Sequence, residues 1–309
     1  MTIHQKLHAI KKISGLTQEK LASKLGVSFP TLNSWINGKS TPHQKAQNFI
    51  EELYKQYTGQ KIIPETILAA KKTALYKQAK KHRSILKKIL ARPDLHNEFM
   101  LLLTFHTNSI EGSTLSENET SAVLFHNKVL PNKSLIEQME VKNHQAALTY
   151  LLRHLASPHR TGRKINEDLI LKLHAILMNG IRDDAGFYRR YAVRIVGSHV
   201  PTANPLRVPD LMEKLSKWLR TPRKDPIKHA AKIHSAFEKI HPFGDGNGRV
   251  GRLLLNAMLL TNNLPPAIIK TESKQLYYTY LNKAQLDDDL SLLEDYLCDT
   301  IEEGLRLLP

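Results

Sequence analysis

Apolar positions in this 309-residue chain recur mostly every three or four residues, the repeat of helices with one buried face. In LTQEKLASKLGVSFPTLNSWINGKSTP (16–42), Leu21 and Leu25 lie four apart, and Ala22 is small enough for a close helix crossing. Thr17 is placed to cap a first helix, and Gly26 to end it in a tight turn. Ser28 is placed to cap a second, with Pro30 tolerated in its first turn and Leu32, Trp35 and Ile36 facing inward. Asn37-Gly38 closes the pair. Residues 66–92 carry Leu68, Leu75, Ala79, Leu86 and Leu90 as one stripe among lysines, and predict one long helix that Pro93 ends. The same period predicts helices over about 95–106, 117–127, 134–157, 166–180, 208–220, 226–240, 248–262, 274–285 and 290–307. The segment YAVRIVGSHVPTANP (191–205) breaks it. Its alternating β-branched residues, followed by Gly, Ser and Pro, predict a short hairpin. There is no internal repeat and no low-complexity tract.

Charge divides the chain more sharply than hydrophobicity does. Residues 1–92 hold 18 Lys and Arg against 4 Asp and Glu, leaving 27 against 25 for residues 93–309. A basic head on a nearly neutral body points to a polyanion at the head, nucleic acid rather than membrane. The 41% of hydrophobic residues is enough for a core and excludes global disorder. One cysteine, Cys298, excludes a disulfide framework and a cysteine-rich zinc site, and fits a reducing, cytoplasmic setting. The polar N-terminus MTIHQKLHAIKKISG is not a secretory signal, and no run of about 18 apolar residues offers a membrane span.

The concentrated chemistry lies in HPFGDGNGRVGR, residues 241–252. Gly244, Gly246 and Gly248 free the backbone at the entry to a helix, where outward N–H groups and the helix dipole make an anion cradle. Arg249 and Arg252, three apart, can reach phosphate oxygens. An acid inside such a cradle is repulsive without a cation, so Asp245 reads as a magnesium ligand. His241 at the rim is placed to take a proton near neutral pH. Together these describe phosphate-centred transfer. A P-loop is excluded, because its Lys-Ser/Thr ending is missing.

Two resemblances sharpen this. HPFGDGNGRVGR resembles the Fic (Fido) signature HPFx(D/E)GNGRxxR at every fixed position, and the likeness extends through most of residues 100–290. It implies AMP transfer from ATP to a Ser, Thr or Tyr hydroxyl of a protein, possible on the chain itself, with Mg2+. His241 would deprotonate the hydroxyl and Asp245 would hold the metal. Gly246, Asn247 and Gly248 would cradle the α- and β-phosphates with Arg249 beside them, and Arg252 would pair with the γ-phosphate. Val250 and Gly251 complete the nucleotide-binding string. Val196, Gly197, Ser198 and His199 resemble the family's flap, which covers the nucleotide and registers the target by strand addition. Gly186-Phe187-Tyr188-Arg189 resembles the approach to that flap. Tyr277 and Tyr278 match a pair lining the adenosine pocket. The Asn found eight residues beyond it in the family is here Gln285, one methylene longer. Thr107-Asn108-Ser109-Ile110-Glu111-Gly112 fits the inhibitory pattern (S/T)xxxE(G/N), which implies that Glu111 pairs with Arg252 and denies it to the nucleotide. In some relatives this glutamate also supports AMP removal.

Residues 5–55 resemble the lambda-repressor-like (XRE) helix-turn-helix family. The second helix would enter a major groove, with Gln18, Phe29, Pro30, Thr31, Asn33 and Ser34 facing bases and Lys39 near phosphate. Phe29-Pro30 replaces the amide side chains of many relatives and offers only apolar contact, for instance to a thymine methyl. A protein–protein role for this module stays open.

The expected organisation is mainly α. A helix-turn-helix DNA-binding bundle spans 1–58, a basic linker helix 59–93, and an all-helical Fic domain with its inhibitory helix and small β-hairpin flap 94–309. The linker reads as a solvated helix on the catalytic body, or as an added phosphate-tracking surface. Two other functions stay open: a DNA-binding transcriptional regulator whose body senses nucleotide, and a transferase with another nucleotide donor. A homodimer, and delivery to another cell, are also open.

Overall fold

The computed structural model describes residues 1–157, 165–195, 198–221 and 224–309. Its described residues form fifteen α-helices and no strand. The head is a four-helix bundle: α1 (Ile3–Ser14), α2 (Gln18–Leu25), α3 (Phe29–Ile36) and α4 (Gln44–Tyr57). Thr17 and Ser28 cap α2 and α3 by accepting from Lys20 N and Thr31 N. Leu21, Leu32, Trp35 and Ile36 close on Leu7, Ile10 and Ile50, so Trp35 is core.

The predicted single helix over 66–92 is instead two, α5 (Glu65–Ala79) and α6 (Ile85–Ala91). Ile85 and Ile89 are buried, whereas Leu90 is exposed. The break is set from far along the chain. Asn263 Oδ1 accepts from Ile85 N at 2.9 Å, and its Nδ2 donates to His82 O at 2.9 Å. That side chain caps α6 and satisfies the carbonyl where the helix stops. Two of the three lysines of α5 face acids of the body. Lys71 pairs with Asp295 at 2.5 Å and Asp299 at 2.8 Å, and buried Lys72 pairs with Asp225 at 2.7 Å and with Glu294. Part of the positive excess of residues 1–92 is thus neutralised internally.

The body continues with α7 (Pro93–Glu111), α8 (Glu117–His126), α9 (Leu135–Ala156), α10 (Glu167–Leu177), α11 (Val208–Leu219), α12 (Pro226–Ile240), α13 (Asn247–Thr261), α14 (Lys274–Asp287) and α15 (Ser291–Arg306). At its centre α13 is buried around its circumference, with Leu253, Leu254, Leu255, Ala257 and Leu259 packed beside the polar Arg249, Arg252 and Asn256. The helices α12, α9, α10 and α7 pack around it. The head rests on α14 through α1 and α4. Leu276 joins the head's core, and Thr279 Oγ1 donates to Tyr57 O at 3.4 Å.

The predicted hairpin forms no ladder: residues 191–195 and 198–204 are irregular. The two arms are tied by a side chain, Thr202 Oγ1 donating to Val193 O at 2.7 Å. Pro201 offers no N–H, and two short strands alone are marginal in water. Val196 and Gly197 lie outside the described residues.

Candidate active site

Asp225 caps α12 by accepting from Lys228 N at 3.0 Å, and the helix delivers the chain to His241. His241 ends it in the left-handed region at φ 52°, strained for a residue with a Cβ. Arg189 holds it there. Its buried guanidinium donates to His241 O at 2.7 Å and Ile240 O at 3.4 Å, where a cation meets a helix C-terminus. The same group donates to Tyr191 O at 2.7 Å and Ala203 O at 2.5 Å, one on each arm of the flap segment. On the His241 ring, Nδ1 lies 3.2 Å from Glu238 O. A carbonyl only accepts, so Nδ1 carries the proton and Nε2 the lone pair. Burial lowers the His241 pKa, outweighing the Glu238 carbonyl, and keeps the ring neutral.

The loop after it is held by residues without evident chemistry. Asn247 Oδ1 accepts from Phe243 N and its Nδ2 donates to Phe243 O, both at 2.9 Å. The ring of Phe243 stacks on His174 at 3.7 Å. His174 Nδ1 accepts from Gly186 N at 2.8 Å, leaving Nε2–H to donate to Asp245 O at 3.1 Å. Burial takes the His174 pKa down to about 4, so the ring stays neutral and can accept. Gly246 turns the chain into α13 at φ 77°, and no side chain caps that helix. Its first-turn amides are therefore available to an anion. Asp245, with a side chain 55% exposed, stands beside them. Replacing Asn247 by Ala leaves both Phe243 backbone groups unpaired in the interior. A stability loss of about 3 kcal/mol in urea unfolding is expected; wild-type stability would refute this role.

Glu111, the last residue of α7, reaches the other side of the loop. Its Oε1 lies 2.5 Å from Arg252 NH2, and a Cβ on Gly248 would collide with the same oxygen. Arg252 is gripped twice more: Nε donates to Thr107 Oγ1 at 2.6 Å and NH2 to Thr107 O at 3.3 Å. Burial opposes ionisation of Glu111, but Arg252, with Arg249 and Lys274 behind it, prevails and lowers its pKa below the ordinary value. Burial likewise works against the Arg252 cation, and Glu111 outweighs it.

The other predicted site residues sort by what their groups already hold. Arg249 is buried and pairs with Glu140 at 2.6 Å, with Asp245 3.7 Å away. The side chain of Asn247 is fully engaged with Phe243, so it offers the cradle its backbone amide. Val250 and Gly251 are packing residues behind the cradle. Val250 is buried with its N–H on Gly246 O at 3.0 Å, and Gly251 O lies 3.1 Å from His234 Nδ1. The hydroxyl of buried Tyr277 is bonded to His234 Nε2 at 2.7 Å, whereas Tyr278 is half-buried. Gln285 is buried, its amide donating to Ser235 O at 3.2 Å. Ser198 ties the flap to α14 by donating to Asn282 Oδ1 at 3.0 Å, and His199 is exposed. In the head, Phe29 is 43% exposed, Pro30 and Lys39 are exposed, and Gln18, Thr31, Asn33 and Ser34 are half-buried. Thr107, inside the inhibitory pattern, and Arg189, inside the flap-approach string, act as clamps that their motifs do not specify, and His174, Glu140 and His234 stand in no motif.

Residues 164–259 match the model of the Fic/DOC family, and residues 7–46 match a helix-turn-helix model. Protein adenylyltransferase fic-1 of Caenorhabditis briggsae is 38% identical over 195 residues, covering 62% of this chain and 38% of its own. Protein adenylyltransferase Fic of Nematostella vectensis is 36% identical over 188 residues, covering 60% and 43%. The chain thus spans about two fifths of the length of these curated relatives. The solved structure of Fic-1 from Caenorhabditis elegans superposes with a TM-score of 0.69 at 26% identity, over 93% of this chain and 83% of that one.

Proposed function

We propose that this chain, of which residues 164–259 match the Fic/DOC family and residues 7–46 a helix-turn-helix, transfers AMP from ATP to a Ser, Thr or Tyr hydroxyl of a protein, restrained by Glu111. The observation that carries this is the convergence on one loop of a neutral histidine, an uncapped helix N-terminus and an exposed acid.

His241 Nε2 takes the proton of the attacking hydroxyl. The amides of Asn247 and Gly248 hold phosphate oxygens, with Arg249 beside them steadied by Glu140, whereas the Gly246 amide already donates to Asp245 Oδ1 at 2.6 Å. The hydroxyl oxygen forms a bond to the α-phosphorus, the bond to the β-phosphate oxygen breaks, and pyrophosphate leaves. Asp245 fits magnesium: a single exposed carboxylate beside bound phosphates matches a metal that takes one or two carboxylates and completes its shell with phosphate and water. When bound, the metal would neutralise phosphate charge. Tyr278 stands beside Arg252, and Ser198 holds the flap on α14.

The test incubates the chain with Mg-ATP labelled at the α-phosphate and candidate target proteins. Label is expected on protein, and a γ-phosphate label is not. Label from UTP in preference to ATP would overturn the choice of donor. For the head we propose DNA binding, since α1 and α4 take up the contact with α14 and leave Phe29 and Pro30 of α3 exposed. With about four phosphate contacts, affinity should fall about a hundredfold between 50 and 200 mM salt. Salt-independent binding would count against a DNA role.

A further inference from the structure

Two cavities open side by side along α12, lined by none of the cradle residues 244–252. The one nearer His241 is about 460 Å³ and apolar, walled by Ala203, Leu211, Ala236 and Ile240, with Lys214 and Lys239 at its edge. The other is about 430 Å³ and basic, lined by Lys224, Lys228 and Lys232. Trp218 belongs to both. Its indole is 46% exposed, and Lys232 Nζ lies 5.5 Å from the ring centre. Asp225 is the acid lining the basic cavity, and its charge is already met: Lys72 lies 2.7 Å away, and Tyr76 and Lys228 N donate to its other oxygen. Lys224, Lys228 and Lys232 form no ion pair at contact distance among the described residues, and Glu294, the acid that feels Lys228, is itself taken by Lys72. The apolar wall is rigidly tied to the base, because Arg189 binds Ala203 O and His241 O with one guanidinium.

An exposed aromatic and apolar floor that continues into an unmatched cationic surface selects a partner with the complementary order of side chains. We propose that this two-part groove seats the segment of the target protein that carries the accepted hydroxyl. Its occupant is an extended peptide with an apolar residue beside the hydroxyl and an acidic cluster further along. Between Lys228 and Ile240 the helix rises about 18 Å. An extended chain covers that in about five or six residues, which fixes the spacing of the acids from the hydroxyl. The proposal rests on the transfer reading above and adds what the target must look like.

The test reads binding without ATP, so that it stands or falls separately from catalysis. The chain has two tryptophans, and Trp35 is buried in the head's core, so a fluorescence change on adding peptide reports on Trp218. The probes are short synthetic peptides with a Tyr, an adjacent Leu, and a tail of Asp, Ser or Lys on either side. The Asp-tailed peptide is expected to bind about tenfold tighter than the Ser-tailed one at low salt, the sum of a few exposed ion pairs. The double substitution Lys228→Glu with Lys232→Glu should abolish that preference, and Leu211→Glu should weaken all three peptides. Equal binding of Asp and Lys tails would overturn the proposal. So would a preference that survives the double substitution, or light scattering that shows a second copy of this chain released by Leu211→Glu. Tail-selective binding without label transfer by the Glu111→Gly variant would leave the groove standing and remove the catalytic reading.

Discussion

Glu111→Gly should raise the rate of label transfer from ATP by about a hundredfold or more. Arg252 is the residue placed for the γ-phosphate, and in the wild-type chain its NH2 is held by Glu111 at 2.5 Å. A single well-placed donor to a phosphate in a water-poor site is worth about two to three orders of magnitude in rate. The restraint persists at neutral pH, because the Glu111 carboxyl is held below its ordinary value of 4.5. The substitution should also cost stability, by about 3 kcal/mol at the lower end for breaking a buried pair, since Arg252 then loses its carboxylate and keeps neutral partners, Thr107 among them. Glu111 is 29% exposed, so water reaches the gap and moderates the loss. Faster transfer with a lowered melting temperature, partly restored by ATP, is the expected pair of results. An unchanged rate would end the idea that Glu111 restrains the site.

His241→Ala in that background should lower transfer by about two to four orders of magnitude, the usual weight of a positioned base, while ATP binding measured calorimetrically persists. Retention of a tenth of the rate would remove His241 from the role. The pH profile of the Glu111→Gly variant tests the same group differently. Burial lowers the His241 pKa below 6.5, and protonation removes the lone pair. The rate should therefore be level at neutral pH and fall as pH drops through a midpoint below 6.5. A midpoint above 6.5 would contradict the buried geometry.

Much of the fold could be read from the pattern because the deciding signals were local. The caps at Thr17 and Ser28 and the three- and four-residue apolar period act within a turn or two, and the helices of the body fall within a few residues of expectation. The 66–92 helix failed because its break is made by Asn263, 178 residues from the backbone it caps. The hairpin failed because alternation specifies a face to bury but not a partner to pair with. The lysines of α5 looked solvated because nothing local shows that α15 brings acids to Lys71 and Lys72.

By itself the sequence determined which chemistry is possible: His241, Asp245, the glycines and two arginines occur together in twelve residues, and proximity along the chain guarantees proximity in space. Tertiary structure alone decided which of those groups are free to act. Asn247 closes the loop on Phe243, Tyr277 is held by His234, and Arg252 is taken by Thr107 and Glu111, because hydrogen-bonding capacity in a buried site is limited and goes to whatever the packing brings within reach.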